Sequence, residues 1–265
     1  MKICARCKTS KSLSKFYVNR GWADGRHPYC KQCLLAYQRE HRRERLDRAN
    51  PNRRRWSHPF VRHDYFAALD EPVRAYVAGL LAADGNVLER QRRVSLELSR
   101  RDRELVYFVR DELAPGFPVR ERVRPDGIAT AVLAITSTQL CEDLSRLGIT
   151  PRKSLTLSWP EQHLGRVSSR LFLLGYFDGD GFITQSRSGR YVYPRWGLLG
   201  TEMFLSAAMG LISGEAGVSP RRVRSQVGKN VHTLHINGAD AVVVDRWLHY
   251  GTSLGLARKR LTCSS

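Results

Sequence analysis

Tyr76-Val77-Ala78-Gly79-Leu80-Leu81-Ala82-Ala83-Asp84-Gly85-Asn86-Val87 and Leu173-Leu174-Gly175-Tyr176-Phe177-Asp178-Gly179-Asp180-Gly181-Phe182-Ile183 are two versions of one segment. Each is an apolar run rich in Gly and Ala, the composition of a buried helix whose neighbour must come very close. Each stops at an Asp-Gly, Asp84-Gly85 or Asp180-Gly181. A carboxylate at a helix C-terminus faces the negative end of the macrodipole, which costs about 0.3–1 kcal/mol. Asp-Gly is also a common turn dipeptide, which would account for one aspartate more readily than for both. Two in matching contexts point to a bound cation.

Outward from these segments the order of elements occurs twice. The first half reads as a helix over 73–84, a strand over 93–99 with Val94, Leu96 and Leu98 alternating, and a helix over 102–114. Strands over 118–124 and 128–136 follow, joined at the hairpin signal Pro125-Asp126-Gly127. A helix over 138–147 ends at Gly148, before Pro151-Arg152-Lys153-Ser154. The second half reads as a helix over 169–180, a strand over 191–200 and a helix over 202–216. Strands over 221–227 and 231–236 then meet near Gly228-Lys229-Asn230, and a helix over 239–249 leads to Leu256-Ala257-Arg258-Lys259-Arg260. The aspartates are 96 residues apart and the lysines Lys153 and Lys259 are 106 apart, so the halves are similar in length but diverged.

Strand alternation places Arg120, Arg122 and Arg124 on one face of the first hairpin, and Arg222, Arg224 and Gln226 on one face of the second. One such face is an ordinary solvated surface. Two equivalent ones on a basic chain fit a nucleic-acid groove.

The 265 residues carry a formal charge of +19, and the surplus is uneven. Residues 1–62 hold 17 Lys+Arg against 4 Asp+Glu, and the remainder 27 against 21. That concentration suits a polyanion. Arg outnumbers Lys by 36 to 8, which favours phosphate and guanine recognition but also follows from G·C-rich coding. No apolar run approaches a membrane span, and the N-terminal residues lack the apolar stretch of a secretory signal. A membrane partner is therefore not expected.

Cys4-x2-Cys7 and Cys30-x2-Cys33 are two knuckle-spaced pairs separated by 22 residues. They predict one tetrahedral structural Zn2+, with an Asp24-Gly25 turn in the interval and His27 as an alternative fourth ligand. Cys141 and Cys263 read as plain small apolar residues. A segment this short needs the metal to fold. A basic helix is expected after Cys33, and Asn50-Pro51-Asn52-Arg53-Arg54-Arg55 reads as a basic linker, with Arg53, Arg54 and Arg55 as phosphate contacts or a solvated tether.

Val77–Gly85 and Leu173–Gly181 resemble the LAGLIDADG homing endonucleases in their monomeric, two-motif form. The features Gly148–Ser154 and Gly255–Arg260 extend the resemblance over about residues 70–262, and the N-terminal module resembles a zinc ribbon or treble clef. The resemblance implies an α+β fold of two pseudo-symmetric αββαββα repeats. Their motif helices would pack at the pseudo-two-fold axis through Ala78, Gly79, Ala82, Gly175 and Gly179, above a saddle of two antiparallel sheets. It implies four regions: a zinc module (1–48), a basic linker (49–69), a first repeat (70–166) and a second repeat (167–265).

It further implies that Asp84 and Asp180 bind two or three Mg2+ at the repeat interface, with Lys153 and Lys259 orienting water or stabilising the transition state. The acid of the sixth motif position is present as Asp178 but is replaced by Ala82 in the first motif, which predicts asymmetry beside the metals. The implied activity is a staggered double-strand break in a long asymmetric DNA site, made by a monomer in the cytoplasm, at the nucleoid of a bacterial or phage-infected cell. Alternatives are a non-cleaving DNA-binding regulator and a maturase acting on intron RNA. An intein is not expected, because the chain edges lack splicing residues.

Overall fold

The computed structural model describes residues 1–19, 21–22, 24–40, 60–226 and 231–261. It falls into two units, Met1–His58 and Pro59–Ser265. Arg53, Arg54, Arg55, the Gly228-Lys229-Asn230 turn and Cys263 lie outside the described residues.

The first unit contains two small antiparallel pairs, β1 (Lys2–Ile3) with β2 (Ser10–Lys11) and β3 (Phe16–Val18) with β4 (Arg26–Cys30), followed by α1 (Lys31–Glu40). The Asp24-Gly25 turn forms as expected: Gly25 has φ +66°, and the Asn19 N–H donates to its carbonyl. Among the described residues, the buried apolar ones of this unit are Cys4, Phe16 and Cys30, with Tyr29 and Cys33 packed alongside.

The second unit holds the repeat. Its first half runs α2 (Pro72–Ala83), β5 (Gly85–Leu88), β6 (Arg93–Ser99), α3 (Arg103–Leu113), β7 (Arg120–Val123), β8 (Ala129–Thr136) and α4 (Thr138–Arg146). A short α5 (Lys153–Thr156) leads to the second half: α6 (Arg166–Asp180), β9 (Gly181–Ser188), β10 (Tyr191–Gly200), α7 (Glu202–Ala216), β11 (Arg224–Ser225), β12 (His232–Asn237) and α8 (Ala239–Leu248). Both halves are αββαββα. Their sheets share one topology, β5-β6-β8-β7 and β11-β12-β10-β9, antiparallel throughout.

The expected strands gained two partners. The sequence reading put no strand after either Asp-Gly, yet β5 and β9 start at Gly85 and Gly181 themselves. Both glycines lie against the preceding helical turn: a Cβ would come within 2.5 Å of the Leu81 carbonyl oxygen at Gly85, and 2.1 Å of the Phe177 ring at Gly181. The chain therefore turns from helix to strand with no loop. The strand expected over 221–227 shrinks to Arg224–Ser225, leaving Arg222 outside it. The stretch expected as linker up to residue 69 is in part core, because Tyr65, Phe66 and Leu69 are buried and the Arg62 N–H donates to the Leu113 carbonyl.

Pro72 starts α2 at a position where its missing N–H costs nothing. Every residue from Ala75 to Ala83 is buried, the signature of a helix with neighbours on all sides. Its main neighbour is α6, and the two backbones touch. A Cβ on Gly79 would lie 1.9 Å from the Phe172 carbonyl oxygen, and one on Gly175 would lie 2.0 Å from that of Tyr76. The 96-residue offset that relates the aspartates also relates Gly79 to Gly175 and Tyr76 to Phe172, so these are one contact made twice about a pseudo-two-fold. Gly79→Ala or Gly175→Ala is expected to destabilise the unit by at least about 1–3 kcal/mol through overpacking. Urea unfolding with an unchanged midpoint would contradict the close approach.

Candidate active site

The crossing of α2 and α6 brings the two halves' chemistry together. Asp84 is the residue at which α2 ends, and Asp180 is the last residue of α6. The Asp84 carboxylate lies against Gly179, the residue before Asp180: a Cβ there would be 2.9 Å from Asp84 Oδ2 and 2.3 Å from the Ala83 Cβ. The glycine thus makes room for the opposite carboxylate. Asp84 faces solvent and Asp180 is half-buried. Surrounding protein, and next the charge of Asp180, push Asp84 up to about 6. Burial raises Asp180 as well, opposed by Lys153, Lys259 and the hydroxyl of Tyr176.

Two lysines reach the ends of these helices. Lys153 Nζ donates to the Ala83 carbonyl at 2.6 Å. Lys259 Nζ donates to the carbonyls of Phe177 (3.0 Å), Asp178 (2.7 Å) and Gly179 (2.9 Å). Ala83 and Gly179 are equivalent under the 96-residue offset. Each lysine therefore caps its helix end and offsets the negative end of the dipole; Phe177 is the one of these carbonyls that also accepts a helix-end N–H, from Gly181. Burial lowers Lys153, against the pull of Asp180 and Asp84. Burial and then Arg258 bring Lys259 down to about 8. Two carboxylates held this near each other, with hard oxygen donors and access to solvent, are a donor set suited to Mg2+ completed by water or phosphate oxygens.

Residues 71–126 match the family model of the LAGLIDADG-like domain. That segment is LAGLIDADG-like. Among solved structures the chain is similar to the meganuclease I-SmaMI bound to uncleavable DNA, at 12% identity and TM-score 0.47, over 68% of this chain and 84% of that one. It is similar to I-AabMI bound to uncleaved DNA, at 12% and 0.39, over 63% and 78%. It is also similar to mesophilic variants of the homing endonuclease I-DmoI, at 15% and 0.45, over 66% and 87%. No curated protein matches.

The matched segment holds Asp84; the segment around Asp180 is its counterpart in the second half of the fold. The asymmetry expected from Ala82 has a specific form. Asp178 is 3% exposed and accepts from Tyr76 Oη at 2.6 Å and from the Leu256 N–H at 3.1 Å. Tyr76 corresponds to Phe172 and Asp178 to Ala82, so a hydroxyl–carboxylate pair on one side of the helix crossing is an apolar pair on the other. Ala82 leaves no orphaned hydroxyl opposite it, because Phe172 carries none.

The sheets bury one face and leave the other open. Val94, Leu96, Leu98, Leu133 and Ile135 line the core in the first, and Trp196, Leu198, Leu234 and Ile236 in the second. Arg120 and Arg122 are exposed on the open face, as the alternation predicts, and Arg122 bonds Glu97 at 2.6 Å. Arg124 sits just past β7, paired with Asp126 at 3.3 Å. Arg224 is exposed on β11 and Gln226 follows it, its N–H donating to the Val231 carbonyl, while Arg222 precedes the strand. Exposed ion pairs of this kind are worth about 0–1 kcal/mol, so a phosphate can displace them.

Sequence reasoning missed the middle of the second open face. Arg195 donates to Asn237 Oδ1 (2.9 Å) and Ser186 Oγ (2.6 Å). Phe182 covers Gly197 and meets His235 edge-on at 5.7 Å. The signal was present: Tyr193, Arg195 and Gly197 alternate out of phase with Trp196 and Leu198.

In the N-terminal unit Cys4, Cys7, Cys30 and Cys33 bring their Sγ atoms within 4.8 Å of one another. Four sulfurs around a zinc at about 2.3 Å would be about 3.8 Å apart, so the set fits. The cluster holds its thiols unequally: burial and then the Cys30, Cys7 and Cys4 side chains push Cys33 up to about 12, whereas Cys4 favours thiolate. Burial opposes it, but the N–H groups of Cys30, Cys7 and Arg6 hold Cys4 down at about 6. Lys11 Nζ donates to Cys30 Sγ at 3.4 Å. His27 is not a member: its Nδ1 accepts from the Tyr29 N–H.

Proposed function

We propose that this chain is a site-specific DNA endonuclease that hydrolyses both strands of a long asymmetric site in a staggered double-strand break, as a homing enzyme does. The observation that carries the reading is the meeting of Asp84 and Asp180 at the ends of two helices in backbone contact, each end capped by a lysine. Two carboxylates contributed by two halves suit a substrate with two scissile phosphates related by approximate symmetry. Divalent cations held there, Mg2+ in two or three positions, would lower the pKa of the attacking water and neutralise the leaving oxygen. The chain's own part is to hold the two carboxylates close together, where burial disfavours their charge and a bound cation would offset it, and to set a positive field around the phosphates through the lysines.

Arg120, Arg122, Arg195 and Arg224 on the open sheet faces suit phosphate and base contacts along the groove. The residues 1–48 are a zinc module that extends the contact, and Arg53, Arg54 and Arg55 serve the same backbone. The protein acts as a monomer, both halves of the site being in one chain, and its setting is the nucleoid. No helix of the described residues is long and apolar enough to cross a membrane.

The test is incubation of the purified chain with its own locus lacking the intervening element, with and without Mg2+. Cutting of both strands at one position, dependent on the metal, supports the proposal. Tight duplex binding with no cutting would make the chain a DNA-binding regulator, and retention of intron RNA alone would make it a maturase. Affinity for the duplex is expected to fall steeply with salt, roughly 10³-fold or more between 50 and 200 mM for six or more neutralised phosphates. A flat dependence in a filter-binding titration would remove DNA as the partner.

A further inference from the structure

We propose that the two lysines are not equivalent: Lys153 is the one whose ammonium is free to serve the reacting phosphate, and Lys259 is a positioning residue locked as the C-terminal cap of the helix that carries Asp180. The catalytic half of this statement rests on the nuclease reading above; the geometric half does not.

An ammonium has three N–H donors and no more. Lys259 spends all three, on the carbonyls of Phe177, Asp178 and Gly179, and is 7% exposed. Lys153 spends one, on the Ala83 carbonyl, which leaves two N–H groups uncommitted, on an ammonium that feels the charges of Asp180 and Asp84. Freeing Lys259 for substrate would strand helix-end carbonyls without a partner.

The strap that carries Lys259 is tied down twice. The Leu256 N–H donates to both oxygens of Asp178, whose own place is fixed by Tyr76. Arg258 donates through Nε (2.8 Å) and a terminal nitrogen (2.6 Å) to the two oxygens of Asp102 in the first half. The Lys153 strap has neither tie. Thr150, the counterpart of Leu256, donates to the carbonyl of Gly148 within its own loop. Arg152, the counterpart of Arg258, is exposed, makes no ion pair among the described residues and has φ +63°. The counterparts of Asp178 and Tyr76 are Ala82 and Phe172. The bond to the helix-end carbonyl, Ala83 or Gly179, is common to both lysines; the ties through Asp178, Tyr76 and Asp102 have no counterpart on the Lys153 side.

Competitive labelling of the full chain with acetic anhydride, read residue by residue by mass spectrometry, tests the geometry without DNA. Lys153 is expected to react at least about tenfold faster than Lys259, which must await a local opening. Equal or reversed rates would overturn the proposal. The double variant Tyr76→Phe with Asp178→Ala copies the apolar pair of the other side: it removes the hydroxyl together with its acceptor and releases the Leu256 N–H that ties the strap. It is expected to speed labelling of Lys259 and leave Lys153 unchanged; Lys259 remaining protected would overturn the role of the strap. On a duplex that the wild type cuts, Lys153→Met is expected to lower kcat by about a hundredfold or more with a smaller fall in Tm than Lys259→Met, which gives up three carbonyl bonds where Lys153→Met gives up one. Lys259→Met with an unchanged Tm and a lost kcat would reverse the assignment. If the wild type cuts no duplex, the nuclease reading fails, and the labelling decides the inequivalence by itself.

Discussion

Asp84→Asn is expected to bind the target duplex as the wild type does and to lose double-strand cleavage by at least about a thousandfold, and Asp180→Asn to do the same. The amide keeps shape and volume, so the helix crossing is undisturbed. It removes the anionic oxygen that holds the cation, and such stabilisation is worth several kcal/mol of barrier. Gel-shift affinity together with the initial rate of linear product formation checks it; unchanged cutting by either variant would take that residue out of the mechanism.

A second readout follows from the sign of the pKa shift. The Asp84 carboxyl titrates near 6 in the metal-free fold, above the ordinary value of about 3.9 in the unfolded chain. Its contribution to stability is therefore fully present below about pH 4 and is lost as pH rises through about 6. Solvent access moderates the size of the effect but not its direction. Metal-free Asp84→Asn should lack this loss and be no less stable than the wild type at pH 7, as thermal melts across the range would show. A clear destabilisation by the amide would mean that the carboxylate is held by favourable contacts and is not poised for a cation.

Removal of zinc is the second large effect. In the first unit the described buried apolar core is Cys4, Phe16 and Cys30, far too little to offset the chain entropy of such a segment. Structural zinc contributes an apparent 10–16 kcal/mol in small domains. Cys30→Ser with Cys33→Ser, or a strong chelator, is expected to unfold the residues around the cluster and weaken duplex affinity. The transition of residues 60–261, which have their own core, should be left in place. One zinc per chain by elemental analysis, and loss of protection confined to the N-terminal peptides in hydrogen exchange, are the expected results. A purified chain with no zinc and an ordered N-terminal unit would refute the assignment.

Much of this architecture was legible in the residues. The helices over 103–113, 138–146, 202–216 and 239–248 and the strands over 93–99 and 191–200 have the bounds that periodicity predicts, to within a residue or two. Each is long enough for its apolar period to repeat. What escaped was short or set by neighbours. β5 and β9 begin at the glycine after each aspartate, where Asp-Gly reads as a turn, and only their pairing with β6 and β10 makes them strands. Residues 221–223 have the alternation of a strand but pair with nothing among the described residues, so only Arg224–Ser225 joins the sheet. In the candidate site, Asp84, Asp180 and the four cysteines could be named from spacing, and Lys153 and Lys259 from the family resemblance. Tyr76, Asp102 and the division of labour between the lysines could not.

The sequence by itself determined the duplicated order of elements, the small residues at the helix crossing and the four clustered thiols. These are properties of local composition and period, which act within one element at a time. Only the tertiary structure decided that Tyr76 meets Asp178 across 102 residues, that Arg258 meets Asp102 across 156, and that one ammonium is used up while the other keeps two free donors. A hydrogen bond needs a donor and an acceptor within about 3 Å. No periodicity along the chain encodes which distant partner will arrive there.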